Sequence, residues 1–239
     1  MTGIGNFLGR LANIDERHGP LPILLLGLTV LTGMVDAISY LRLGHVFVAN
    51  MTGNIVFLGF ALAGVSDFSV ASSLTAIAAF LAGAGLGGGL GRRHQAHRGF
   101  LFWTATALET LLIASALALT TSDQRVYPLT MHYGLIILLG IMMGLQNAVV
   151  RRLAVPDLTT TVLTLTLTGL AADAGPAPAN RLRRLSSVIA MLAGAALGGV
   201  LVLKGEVRIA LAAGLLLMIA VSGVAFLGRK SSQAWVSSR

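Results

Sequence analysis

The chain has 239 residues, of which 55% are hydrophobic and 11% charged, with a formal net charge of +8. A soluble domain carries roughly a quarter charged residues to solvate its surface, so a soluble globular fold is excluded and a membrane-embedded one is expected. Cysteine is absent, which removes disulfides, thiol catalysis and Cys-ligated metals. The basic excess has no interleaved aromatic stripe, so it reads as loop charge that holds the cytoplasmic side in place and not as a nucleic-acid surface. His18, His45, His94, His97 and His132 are scattered, and the loop carrying His94 and His97 holds no acidic partner. No metal site and no cofactor is expected.

Eight apolar segments follow in chain order: 21–41, 50–65, 70–91, 100–120, 130–150, 158–172, 184–203 and 207–228. Six have the roughly 20 residues that a helix rising 1.5 Å per residue needs to cross about 30 Å of hydrocarbon. The first lacks a small-residue cleavage site ahead of a soluble chain and reads as a retained helix. Segments 50–65 and 158–172 are short and polar. One carries Asn50, Thr52 and Asn54, the other Thr159, Thr160, Thr161, Thr164, Thr166 and Thr168.

The chain also reads itself twice. Residues 80–90 (FLAGAGLGGGL) and 191–201 (MLAGAALGGVL) agree at eight of eleven positions, at an offset of 111. The same offset lays Gly33–Ala37 on Gly144–Ala148, and one inserted residue lays Thr52-Gly53-Asn54 on Thr164-Leu165-Thr166. Residues 1–239 are therefore expected to form a single membrane domain built from two repeats, 21–120 and 130–228. The Gly83-xxx-Gly87 and Gly194-xxx-Gly198 pairs read as close helix contacts. They are not phosphate loops, because no Lys-Ser/Thr follows them and they lie inside spans.

Topology follows from the basic residues. If all eight segments cross, with the N-terminus inside, the Lys and Arg divide nine inside to eight outside. If 50–65 and 158–172 enter and leave by one face, the division becomes thirteen to four, with only Arg42, Arg125, Lys204 and Arg208 outside. The positive-inside rule selects the second arrangement. Each half then has three crossings, an odd number, so the second copy is upside down relative to the first. The expected fold is an all-α polytopic membrane protein: a 3+3 inverted repeat with two re-entrant helices, six full spans and both termini in the cytoplasm.

Non-helical backbone survives at membrane depth only when it is buried in protein or lines a wet cavity. Broken segments at matching places in two inverted halves point to a central binding site. The first turn is expected at Asn50–Asn54, with Gly53 in a positive-φ conformation and Asn or Thr capping the half-helix. Pro156-Asp157 is expected to open the second. Asp36, an acid about fifteen residues into the first helix, is the sharpest candidate. Ser39 and Tyr40 share its face at i+3 and i+4. Its repeat counterpart is Asn147, beside Gln146. The candidate site comprises Asp36, Ser39, Tyr40, Asn50, Thr52, Asn54, Gln146, Asn147, Thr160, Thr161 and Thr164, with Glu109 as a secondary candidate. Two bland readings stand beside it: threonines also bond to their own helix backbone, and Asp36 could pair across the repeat or with Arg42.

The stretches GMVDAISYLRLGHVFVANMTGNIVFLG and GLQNAVVRRLAVPDLTTTVLT resemble the YoaK-like family of bacterial integral membrane proteins over roughly residues 20–228. The resemblance implies a small inner-membrane protein with about six helices, and no substrate, because the family is of uncharacterised function. Leu165 stands where the family more often has glycine.

Three functional classes compete. A transporter or channel for a small solute would use Asp36 for a proton or cation, and the half-helix N-termini for an anionic group. A lipid-modifying intramembrane enzyme is disfavoured, since no Gly-x-Ser-x-Gly, His-Glu-x-x-His or paired Asp motif is present. A non-catalytic scaffold or regulator would show a dry, packed centre. The lipid bilayer is the expected partner, nucleic acid is not, and a homo-oligomer stays open.

Overall fold

The computed structural model describes residues 18–95, 97–120, 128–156, 158, 160–161, 163–172, 178–204, 206–229 and 236. The expected roles of Asp157 and Thr159 lie outside them, as do those of several charged residues in the topology count, Arg125 among them. The described chain is all-helical: α1 (Leu21–Arg42), α2 (Met51–Leu62), α3 (Val70–Arg93), α4 (Arg98–Leu119), α5 (Leu129–Leu153), α6 (Leu163–Ala172), α7 (Pro178–Lys204) and α8 (Val207–Gly228).

Six helices, all but α2 and α6, are long and apolar enough to cross a bilayer. Their outward faces carry large apolar side chains such as Leu111, Leu192, Leu216 and Leu227. A soluble protein would bury such faces; hydrocarbon solvates them. Of the six, α1 and α5 are the most enclosed, which places them at the centre.

Small residues set the packing. A Cβ on Gly83 of α3 would collide with the backbone carbonyl of Ile141 on α5, and one on Gly194 of α7 with that of Val30 on α1. Gly144 lies against the Phe80 carbonyl and Gly33 against the Met191 carbonyl. Each member of one contact is 111 residues from its counterpart in the other. Such backbone-to-backbone approach is how helices gain dispersion contacts where lipid supplies no hydrophobic drive. The α3–α5 and α1–α7 pairs are accordingly the most extensive in the protein.

The same contacts set direction. Gly83, Gly87 and Gly91 meet Ile141, Leu145 and Arg152 in rising order, so α3 and α5 are parallel. Gly194 and Gly198 meet Val30 and Met34, so α1 and α7 are parallel too. The pair α4–α5 is antiparallel: Leu119 covers Gly134, while the Arg98 guanidinium donates to the Leu153 carbonyl at 2.6 Å. In α4–α8, Ile113 meets Gly214 and Trp103 meets Phe226; in α1–α8, Gly27 meets Val221 and Leu31 meets Gly214. Both are antiparallel. Thus α1, α4 and α7 point one way and α3, α5 and α8 the other. The chain between α1 and α3 must therefore begin and end at the same end of the bundle, and so must the chain between α5 and α7. The His45 ring meets the Asp67 carbonyl there at 3.1 Å.

Candidate functional site

The first connection turns sharply after α1 at Gly44 and His45, both at positive φ (75° and 54°). It then runs back along α1, with Phe47 stacked on Tyr40 at a centroid distance of 5.2 Å. Deeper in, Asp36 Oδ1 accepts the main-chain N–H groups of Val48 (3.0 Å) and Ala49 (2.9 Å). These donors belong to non-helical backbone with no helix to satisfy them, so the carboxylate replaces water as their acceptor. Asn50 then caps α2, accepting the Gly53 N–H at 3.3 Å.

The expected positive-φ turn at Gly53 is corrected. Gly53 is helical, and its missing side chain admits the Phe47 ring, which a Cβ would approach to 2.7 Å. The glycine serves close approach, and the turn lies at Gly44–His45. Within the two short segments the helices run Met51–Leu62 and Leu163–Ala172.

The second connection follows the same plan. Ala154 ends α5 in the left-handed region (φ 48°) and the chain turns back along α5. Thr161 donates its hydroxyl to Asn147 Oδ1, and Gln146 Nε2 donates to the hydroxyls of Thr160 (3.2 Å) and Thr32 (2.9 Å). Asn147 and Thr161 thus correspond to Asp36 and Ala49.

A cavity of about 830 Å³ lies between these elements. It collects Asp36, Tyr40, Asn50, Thr52, Asn147, Thr161 and Thr164 from the sequence candidates. Asp36 lines the cavity and does not pair with Arg42, and its Oδ2 has no partner among the described residues.

Four candidates are not brought to the cavity, and one more lies apart. Ser39 is buried and donates to the Asp36 main-chain carbonyl at 3.1 Å. Asn54 is buried and clamps Phe47, accepting its N–H at 2.8 Å and donating to its carbonyl at 2.6 Å. Gln146 and Thr160 are buried in the contact described above. Glu109 is 1% exposed on α4, does not line the cavity, and leaves Oε2 without a partner among the described residues. For those on helices the reason is that neighbouring positions point about 100° apart, so a polar cluster in sequence splits between cavity and packing; Thr160 lies in a bend before α6, at φ 57°. Asn54→Ala will strip Phe47 of both its partners and lower stability by about 2–4 kcal/mol in thermal unfolding. Thr52→Ala, on the exposed side of α2, will change it by less than about 0.5 kcal/mol.

Sequence reasoning missed a second cavity, of about 800 Å³, lined by Phe80, Ala84, Gly88, Asn147, Arg151, Arg152 and Leu158 among others. Ala84 and Gly88 are the repeat counterparts of Ala195 and Gly199, which line the first. Arg151 and Arg152 stand where the first cavity has Tyr40 and Leu41. Because α1 and α5 run in opposite directions, the two cavities lie toward opposite ends of the bundle, and Phe80 and Asn147 line both. The usable signal was the repeat offset applied to every lining position, Phe80 with Met191 included.

Six long apolar helices with lipid-compatible faces define a polytopic α-helical membrane protein. The chain belongs to the family described as "Protein of unknown function (DUF1275)", which matches residues 24–222. It is similar to the UPF0700 transmembrane protein YoaK of Bacillus subtilis (strain 168), with 40% identity over 151 residues. That match covers 62% of this chain and spans 65% of the relative's length. No solved structure matches.

Proposed function

We propose that the protein carries a small solute across the bacterial inner membrane, as a transporter and not an enzyme. In this reading the halves are an inverted-topology repeat, α2 and α6 are its re-entrant segments, and both termini are cytoplasmic. The carrying observation is the pair of cavities that approach from opposite ends and share Phe80 and Asn147. Access from one side at a time requires only that the α1–α7 and α3–α5 units rock about that shared layer, as inverted-repeat carriers do. Asp36, with one oxygen held by backbone and the other facing the first cavity, is the group suited to a proton or cation.

The absence of cysteine makes the test direct, since any introduced thiol is unique. Asp67→Cys and Thr52→Cys will react with a membrane-impermeant maleimide from the periplasm. Gln95→Cys and Gly88→Cys will react from the cytoplasm. Gly88 tolerates the change because a Cβ there comes no closer than 3.8 Å to the Arg92 guanidinium. Reaction of Thr52→Cys and Gly88→Cys from the same side, or of neither, would overturn the proposal.

A further inference from the structure

We infer that the solute is a small organic cation and that it exchanges for a proton on Asp36. The inference rests on the transport reading above and adds the chemistry of its cargo. Three features of the first cavity carry it. Among the described residues that line it, Asp36 is the one acidic side chain, and there is no lysine, arginine or histidine. Its Oδ1 is occupied by two main-chain donors while Oδ2 is left to the cavity. Beside it stands an aromatic wall: Tyr40 and Phe47 stack, and Phe57 packs on both at 6.0 and 5.5 Å.

A carboxylate oxygen without a protein partner, in a space walled by apolar surface, needs a positive charge or a proton. Aromatic faces add attraction for a cation and almost none for a neutral molecule of equal shape. The described surroundings supply no competing charge. From α1 itself the cavity receives Asp36 and Tyr40; from α2 and its cap Thr52 and Asn50; from α5 Asn147; from α6 and the chain before it Thr164 and Thr161; and from α3 and α7 only Phe80, Met191, Ala195 and Gly199. His45 lies against Tyr40, its ring centroid at 5.1 Å, and is not among the lining residues. Arg151 and Arg152 line the second cavity, so a cation is held in the first and not retained in the second. One carboxylate cannot hold both a proton and a cation, so loading of the cation releases the proton. The exchange is one positive charge for another.

The probe is benzyltrimethylammonium, compared with neopentylbenzene, which has the same shape without the charge. Titration calorimetry on the purified full-length protein, in buffers of different ionisation enthalpy, reads both affinity and proton release. The cation will bind more weakly as pH falls, releasing up to one proton, and the neutral compound will bind at least tenfold more weakly. Asp36→Asn will abolish cation binding and proton release. Tyr40→Leu will weaken binding about 2- to 30-fold and keep the proton release; Tyr40→Phe, which retains the ring, will restore most of the affinity. Equal binding of both probes, or binding unaffected by Asp36→Asn, overturns the inference. If the cation fails to bind while Thr52→Cys and Gly88→Cys still label from opposite faces, the cargo assignment falls and the transport reading stands. If that labelling fails, the transport reading falls with it.

Discussion

Asp36→Asn will abolish proton-driven uptake of benzyltrimethylammonium into proteoliposomes, by more than about 100-fold, while the protein inserts and melts as the wild type does. The geometry separates the two outcomes. The amide oxygen of asparagine can still accept the Val48 and Ala49 N–H groups that Oδ1 now accepts, so the descending backbone keeps its partner. The matching position, Asn147, already holds an asparagine, whose Oδ1 accepts from Thr161. What is lost is the charge at Oδ2 and the site for a proton. Losing a charge-assisted contact to a cation in a low-dielectric cavity costs several kcal/mol, and each 1.4 kcal/mol is tenfold. Asp36→Leu separates the structural role from the functional one. It leaves two buried main-chain donors without an acceptor, at about 1–3 kcal/mol each, and will lower the unfolding transition as well as activity. An Asp36→Asn protein with full uptake would remove the acid from the mechanism.

The spans were legible because apolar length is the dominant constraint in lipid; all six appear within a few residues of their expected bounds, except that α7 begins earlier, at Pro178. The short helices were legible as short segments rich in Asn and Thr, and the direction of each long helix agrees with a chain that returns to the same end between α1 and α3. Side-chain orientation was not legible. Gln146 and Asn147 are neighbours in sequence, yet one ties Thr32 to Thr160 and the other faces the cavity. Nothing in the pattern of hydrophobicity distinguishes them, because both faces of α5 are enclosed. Asn54 looked like a ligand and is a clamp on Phe47, since backbone running against a helix needs its N–H and C=O paired. Gly53 looked like a turn and is a seat for an aromatic ring. In each case the residue type was read correctly as unusual, and the tertiary neighbour decided what it does.

The largest loss of stability will come from adding one methyl group at Gly83 or at Gly194. In both, the new Cβ meets main chain: the Ile141 carbonyl for Gly83 and the Val30 carbonyl for Gly194. A flexible side chain could rotate away, but a carbonyl fixed in a helix cannot, so the two helices must separate along their whole contact. Overpacking in a close-packed interior costs about 1–3 kcal/mol when side chains give way. Here Gly87 and Gly144, and Gly198 and Gly33, pack in the same two seams, so separation weakens several contacts at once and the cost will reach about 3 kcal/mol or more. Gly83→Ala and Gly194→Ala will therefore each fail to give a monodisperse protein in fluorescence-detected size exclusion, or melt far below the wild type. Their effects will be alike, because the contacts are counterparts at an offset of 111. Gly85→Ala is the control: it lies in the same helix, two residues away, and a Cβ there meets nothing within 4 Å, so it will shift stability by less than about 1 kcal/mol. Shortening Ile141 to Ala will not rescue Gly83→Ala, since the obstacle is the carbonyl and remains. Rescue by that change, or equal melting of Gly83→Ala and Gly85→Ala, would show that the α3–α5 seam is looser than backbone contact.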